Sequence, residues 1–446
     1  MTKEEILAFV DQGDIELVRF VYIDNDGVIR SYASTTEMLE QDLQSGHNFA
    51  VAMPFFSVMD DLVPGTRFGC TGEICGVPDP DSFRILPHVP KTAMMICDFR
   101  KKADHSDCGL CPRSFLKTYL DSLDYQVNVA LENEFYLVVR DESGNYAPFD
   151  QTVCFSTTGM NRQQALVADI IRFLKAQGMT VEKYYPEYGR GQVEIVYRYD
   201  NALKTADNQV FFRETVKGVA QNHGVIASFM PKPFADSAGS GAHMHISLCH
   251  DGKNLFFDAS REYGLSQTAK FFIGGLLQHM KALCAFTAST VNSYKRLLPH
   301  NWASAYTCWG MDNREASVRV CPGAKGSEEA SFNLEIKPVD GACNPHLAIL
   351  AALAAGMDGV KNRIDPGQPV MADPHDLDEA TRRKMNITRL PKTLGEAITS
   401  LEADTFYKSL LGDVFFEEYI MLKRFAWNTY IEHVSDWESA LYMEAY

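Results

Sequence analysis

Between Val127 and Val139 the apolar residues fall on alternate positions: Val127, Val129, Leu131, Phe135, Leu137 and Val139. A period of two is that of a strand with one buried face, and it predicts that Glu132 and Glu134 share the other face. Three more segments alternate in the same way. In GQVEIVYRY, Val193, Ile195, Tyr197 and Tyr199 oppose Gln192, Glu194 and Arg198; in GAHMHISL, Ala242, Met244, Ile246 and Leu248 oppose His243, His245 and Ser247. In SFNLEIKPV, Phe332, Leu334 and Ile336 oppose Asn333, Glu335 and Lys337. One polar face is what any half-exposed antiparallel sheet presents. A set dominated by Glu and His, rather than by Lys, Thr and Ser, reads as one ligand-rich surface. The run Ala238-Gly239-Ser240-Gly241 leads into the His strand, as expected where backbone approaches a ligand.

Upstream, LVRFVYIDNDGVIRSY predicts a hairpin turning at Asp24 to Gly27. The Pro-rich VPDPDSFRILPHVP then leads to an apolar run, Ala93 to Cys97. The polar, turn-forming KKADHSDCGLCP predicts a boundary, with one domain over 1–104 and another over 105–446. Phe115, Leu116, Tyr119, Leu120 and Leu123 fall at helical spacing, so a helix opens the second domain. There is no internal repeat or low-complexity tract.

The 446 residues carry a net charge of −16, which disfavours nucleic acid and anionic membrane surfaces as partners. The longest apolar stretch, Leu347 to Met357, is too short to span a bilayer. The acidic, amphipathic start MTKEEILAFVDQGD is unlike a secretory signal. An odd count of eleven cysteines, mostly in apolar contexts, suits a reducing cytoplasm. Cys108 and Cys111 have knuckle spacing, but no second pair accompanies them, so the segment reads as a turn before a helix rather than a zinc site.

Were Glu132, Glu134, Glu187, Glu194 and Glu335 to converge with His243, their charge would nearly cancel against two divalent cations. Carboxylate-rich donors suit Mg²⁺ or Mn²⁺, and paired ions suit phosphoryl chemistry. Arg296, Arg314 and Arg319 could neutralise a phosphoryl group or hold a carboxylate. A plain two-metal hydrolase is compatible with this much.

In order along nearly the whole chain, VPDPDSFRILP, ENEFYLV, PEYGRGQVEI, GSGAHMHISL, NSYKRLLPHNW, DNREASVRV and LEIKPVDGACNPHLAILAALAAGMDGV resemble the motifs of glutamine synthetases and their glutamate–amine ligase relatives. The resemblance implies an α+β fold, a small β-grasp-like N-terminal domain before a large catalytic domain on a curved antiparallel sheet. It implies ATP and at least two Mg²⁺ or Mn²⁺ ions per site. Glu134, Glu187 and Glu194 would hold one ion and Glu132, His243 and Glu335 the other, with His245 and Ser247 on the nucleotide side. Arg296 would hold the glutamate carboxylate, Gly239 would lie beside its amino group, and Arg314 and Arg319 would face the transferring phosphoryl group. Sites in this family lie between subunits, so a homododecamer in the cytoplasm is expected.

The departures from the family pattern are informative. The DGSS loop that binds ammonium aligns with AMPFFSVMDD, which puts Pro54 or Phe55 at its Asp, and the flap Glu is replaced by Trp302. Lys337 replaces a usual Arg and so keeps charge without the planar fork. No Tyr lies in Ala372 to Ser400 to serve as an adenylylation site. The expectation is an ATP-dependent ligase that joins glutamate to a primary amine larger than ammonia, with Phe55, Phe56 and Trp302 as aromatic walls for the amine where the small domain of the neighbouring subunit closes over the site. Asp60 and Asp61, in the same segment of the neighbouring subunit's small domain, are candidates to take the amine proton. The alternatives are a glutamine synthetase using ammonium, or a structural or regulatory member that has lost catalysis.

Overall fold

The computed structural model describes residues 1–446. Six strands form the N-terminal sheet: β1 (Leu17–Ile23), β2 (Ile29–Thr35), β3 (His47–Ala50), β4 (Glu73–Pro78), β5 (Arg84–Ile85) and β6 (Thr92–Lys101). Their order is β2-β1-β6-β4-β3, with β5 on β6, and β1 and β6 run parallel. The predicted hairpin is β1–β2. Asp24 Oδ1 closes its turn by accepting the Asp26 and Val28 N–H groups at 3.0 and 2.8 Å. Gly27 sits there at φ 85°, and a Cβ on it would lie 1.9 Å from the Ala342 carbonyl oxygen. Only glycine permits both the turn and this contact with the larger part of the molecule.

The larger sheet contains β7 (Gln126–Arg140), β8 (Tyr146–Pro148), β9 (Val181–Pro186), β10 (Gln192–Tyr197), β11 (Asp200–Asn201), β12 (Ile226–Ser228), β13 (Ala242–His250), β14 (Lys253–Asn254), β15 (Tyr306–Met311), β16 (Ala316–Cys321) and β17 (Asn333–Ile336). Its main path is β15-β16-β17-β13-β7-β10-β9. The pairings are antiparallel except β15 with β16, so the sheet is mixed at that edge.

The alternation seen in the sequence becomes the two faces of this sheet. Val129, Leu131, Met244, Ile246, Leu334 and Ile336 pack on one core with the helices Gln267–Thr287 and Pro345–Asn362. Phe135, Leu137, Val193 and Ile195 pack on a second core with the helices Thr157–Ala176 and Ala202–Asn222. Helices therefore cover the apolar side and leave the Glu/His side for ligands. Cys111 begins the predicted helix, Pro112–Asp121, where its Sγ accepts the Ser114 N–H at 3.4 Å, and the Cys108 thiol donates to the Phe99 carbonyl at 3.4 Å.

The two sheets are tied through Arg113, which is 4% exposed. Its guanidinium donates to both carboxylate oxygens of Asp207, at 2.9 and 2.8 Å, and to Asp98 on β6 at 2.8 Å. His346 adds a contact to Asp207 at 2.8 Å.

Candidate functional site

Strand register assembles the site. Glu134 on β7 lies opposite Glu194 on β10, and Glu132 lies opposite His243 on β13. His245 then faces Glu335 on β17, which faces Arg319 on β16. Three neighbouring rungs of one face, read across five strands, therefore form a diagonal row of carboxylates and imidazoles.

The side chains meet within this row. His243 Nδ1 lies 3.4 Å from Glu335, 3.7 Å from Glu134 and 3.9 Å from Glu132. His245 Nε2 lies 3.5 Å from Glu132, while its Nδ1 is 2.8 Å from the Asn333 side-chain oxygen. Glu335 is 1% exposed, with Lys337 Nζ at 3.2 Å and Arg319 Nε at 2.7 Å. The Arg319 N–H is directed at Cys321 Sγ, 3.4 Å away, so Glu335 Oε2 has a cation beside it but no aligned donor. Glu134 accepts hydrogen bonds from Gln192 at 3.1 Å and from the Gly241 N–H at 2.9 Å. The Tyr185 hydroxyl donates to Glu194, and Glu187 accepts the Tyr188 N–H at 2.6 Å.

Electrostatics divide the cluster. Burial pushes the Glu194 carboxyl up, and Glu132 and Glu134 push it further, to about 8. Burial and Glu134 raise Glu187 as well. Burial also opposes the charge on Glu132, but the adjacent His243 and His245 imidazoles win and hold it well below the usual carboxylate range. Glu335 falls to about 2, because Lys337, the two histidines and Arg319 outweigh its burial. Glu134, Glu187 and Glu194 thus form a repulsive pocket without a cation of their own, the condition a hard divalent ion relieves.

The donor set fits metal ions. Glu132, His245 and Glu335 can each present an atom within 4.8 Å of the others, and the buried His245 Nε2 and Glu335 Oε2 have no hydrogen-bond partner. The three carboxylates beyond His243 supply a second, all-oxygen set. His245, which the family resemblance puts on the nucleotide side, thus stands within reach of the carboxylates as well. Ser247 lies farther along the same face of β13, opposite Asn128.

Beside the cluster, Arg296 is buried, with its guanidinium bonded to the Lys337 and Val339 carbonyls at 3.2 and 2.9 Å and its Nε unpartnered. A Cβ on Gly239 would meet Arg296 Cγ at 2.4 Å, so glycine is what lets this arginine lie against the Ala238–Gly241 run. Arg314 is exposed and its guanidinium lies 5.6 Å from the Trp302 ring centroid. Trp302 is 52% exposed, packs edge-on against Tyr188 at 5.7 Å, and donates its backbone N–H to Glu315 at 2.8 Å.

The structure engages some expected amine-pocket residues elsewhere. Phe55 is 2% exposed and packs on Phe68 and Phe415 inside the main core of its own subunit, which leaves it little ring face for a pocket shared between subunits. Asp60 is held by Arg30 at 2.6 Å. Tyr185, Tyr188, Gln192 and Glu315 touch the site or its rim with no role foreseen from the sequence. Only Gln192 had a signal, since it shares the polar face of its strand with Glu194.

Sequence comparison matches residues 109–442 to the glutamine synthetase catalytic domain and residues 2–107 to the glutamine synthetase N-terminal domain. A glutamine synthetase of Halobacterium salinarum is 40% identical over 379 residues, covering 83% of this chain and 82% of its own. One from Methanosarcina mazei is 35% identical over 451 residues, 99% of this chain and 98% of its own. Among solved structures, a GmaS–ADP complex matches with a TM-score of 0.85 at 31% identity, covering 98% of this chain and 99% of that one. A structure described as a novel glutamine synthase homolog matches with a TM-score of 0.84 at 30% identity, covering 97% and 99%.

Proposed function

The chain belongs to the glutamine synthetase family of ATP-dependent carbon–nitrogen ligases acting on glutamate, and we propose that its nitrogen substrate is a primary amine larger than ammonia. The observation that carries this reading is Trp302. Where the family resemblance expects a flap carboxylate to attract ammonium, a half-exposed indole stands against Tyr188 and beside Arg314. An aromatic face favours an amine with a carbon body, through apolar contact and a cation–π contact worth about 0.5–2 kcal/mol. The loop Asp of the family pattern is also absent, its place taken by Pro54 or the core residue Phe55.

A carboxylate is a poor acyl donor. In the proposed reaction the glutamate side chain attacks the γ-phosphorus of ATP, ADP leaves, and a γ-glutamyl phosphate forms. The amine, after losing a proton, attacks the acyl carbon. The C–O bond to phosphate breaks, giving a γ-glutamylamide and inorganic phosphate. Arg296 holds the α-carboxylate of glutamate, Gly239 leaves room for its amino group, and Lys337 keeps Arg296 and Glu335 in place. Arg314 and Arg319 face negative charge on the phosphoryl group, and His245 and Ser247 lie towards the nucleotide. Glu134, Glu187 and Glu194 would hold one divalent ion and Glu132, His243 and Glu335 another, and such ions neutralise phosphate charge when bound. We place the active unit in a homododecamer, the small sheet of one subunit closing over the exposed Trp302 and Tyr188 of the next.

The names of the curated relatives support a second reading, a glutamine synthetase proper, whereas the GmaS neighbours, γ-glutamylmethylamide synthetases, favour the amine. ADP release with Mg²⁺ and glutamate, measured across ammonium, alkylamines, arylalkylamines, ethanolamine and polyamines, decides between them. Alkyl or arylalkyl monoamines should give the highest kcat/KM, and ammonium equal to every larger amine would overturn the proposal. Trp302→Ala should raise the amine KM more than that of glutamate or ATP.

A further inference from the structure

A cleft of about 520 Å³ opens where the helices Gln267–Thr287, Leu394–Ala403 and Asp413–Glu432 meet, and it shares no residue with the Glu/His cluster. Lys281, Arg389 and Arg424 line it, with Trp427 as its one hydrophobic wall and Glu396 as its one acid. Arg424 is paired with Glu402 at 3.2 Å. Lys281 and Arg389 have no carboxylate within 4.0 Å. Two cations without an ion-pair partner, against the single lining acid Glu396, run counter to the −16 charge of the chain, and clefts walled by protein focus such a field on anions.

Arg389 has a second engagement. Its two terminal nitrogens donate to the Ala305 carbonyl at 2.9 Å and the Leu297 carbonyl at 3.2 Å. Those carbonyls bracket the loop that carries Trp302. A guanidinium has five N–H donors in a rigid fork, so these two bonds leave others for a ligand.

We propose that this cleft binds a small dianion, a phosphate monoester or a dicarboxylate, between Lys281 and Arg389. Occupancy fixes Arg389 in the pose that grips both ends of the Trp302 loop. The ordered loop then presents the indole in one position, and the amine KM falls. The binding step is independent of which amine the enzyme uses; the kinetic step rests on that reading.

The test titrates glycerol 2-phosphate and succinate separately into the full-length assembled protein by calorimetry, with glutamate and ADP present to fill the active site. One equivalent per chain should bind. Lys281→Glu should weaken binding about tenfold or more, as expected for a lost charge-assisted contact, and the milder Lys281→Gln should weaken it in the same direction. Lys281 is half-buried and unpaired, so both variants should keep wild-type melting and basal activity. The tighter of the two probes assigns the ligand class. In assays of wild type the better probe should lower the amine KM, and in Lys281→Glu it should not. Unchanged affinity in both Lys281 variants, loss of binding in Arg319→Ala instead, or no binding of either probe would overturn the site. Binding that leaves the amine KM unmoved would overturn the coupling to the loop.

Discussion

Replacing Glu335 with Gln removes the one carboxylate that holds the buried Lys337 and the partly buried Arg319. Lys337 Nζ has Glu335 as its sole ion-pair partner, at 3.2 Å, and Lys337 is 2% exposed. Arg319 Nε stands 2.7 Å from the other oxygen. Breaking a buried pair by removing one partner costs about 3–5 kcal/mol, because the remaining charge has been taken out of water without compensation. Metal-free Glu335→Gln should therefore unfold in urea with a stability lower by roughly that amount. Lys337→Met in the same chain should restore part of the loss, giving a coupling of about 0.5–3 kcal/mol in a double-mutant cycle. Above pH 8, where the Glu194 carboxyl is ionised, Glu194→Gln should move the other way in metal-free protein, since it removes a carboxylate that Glu132, Glu134 and Glu187 repel. Both single variants should bind Mn²⁺ more weakly, read by electron paramagnetic resonance, and lose glutamate-dependent ADP release. A metal-free Glu335→Gln within about 1 kcal/mol of wild type, or a Glu194→Gln destabilised as much as Glu335→Gln, would refute the division of the cluster into compensated and repulsive halves.

Gly239→Ala drives a Cβ to 2.4 Å from Arg296 Cγ. Overpacking costs about 1–3 kcal/mol, so the glutamate KM should rise about 5- to 150-fold, with the ATP KM nearly unchanged in initial-rate assays. Arg113→Leu strips Asp207 and Asp98 of their buried guanidinium and should cost about 3–5 kcal/mol in chemical denaturation; a loss below about 1 kcal/mol would show that the two sheets do not depend on it. His279 lies between Asp404 at 2.7 Å and Asp358 at 3.2 Å, and although burial opposes its charge the two carboxylates raise its pKa above the ordinary value of 6.5. A raised histidine contributes stability that is complete below pH 6.5 and disappears as pH climbs through the folded-state value, so the wild-type melting temperature should fall over that window and that of His279→Gln should fall less. Trp302→Gly should recover stability relative to Trp302→Ala, because φ at this position is 50° and alanine keeps the strain that glycine releases.

The strand faces were legible because a period of two assigns each residue to a side without any knowledge of its partners. That is why Glu132 with Glu134, and His243 with His245, were grouped correctly. Register was not legible. Whether Glu194 meets Glu134 or Glu132 depends on hydrogen bonds between segments more than fifty residues apart, and nothing in either strand fixes that offset. Tyr185 was invisible for a related reason: it follows Tyr184, and two adjacent tyrosines leave open which one joins the polar face. Phe55 shows the limit of residue type as a guide. An aromatic in a Met-Pro-Phe-Phe loop suits a ligand wall and a core plug equally, and only the contacts with Phe68 and Phe415 select the core. The docking of the β1–β2 turn was hidden too, since the sequence gives Gly27 a turn to make but not the Ala342 carbonyl it must clear.

The loop carrying Trp302 gathers these threads at a position where the family resemblance expects a carboxylate. His300, Trp302 and Ser304 have φ of 60°, 50° and 70°, conformations that residues other than glycine avoid. A bulky residue there persists only where its surroundings over-determine it, and three contacts do so. Asp373 takes His300 at 2.9 Å, Glu315 takes the Trp302 N–H at 2.8 Å, and Arg389 grips the carbonyls at both ends. None of these contacts involves the indole itself, which is left half exposed beside Tyr188 and Arg314. The backbone is thus held in a costly shape by groups outside the ring, while the ring is kept free of the packing that would make it structural. On the proposed reading, a side chain exposed at such expense against Tyr188 and Arg314 is there to meet the amine, and its broad apolar face would select for carbon on the incoming nitrogen.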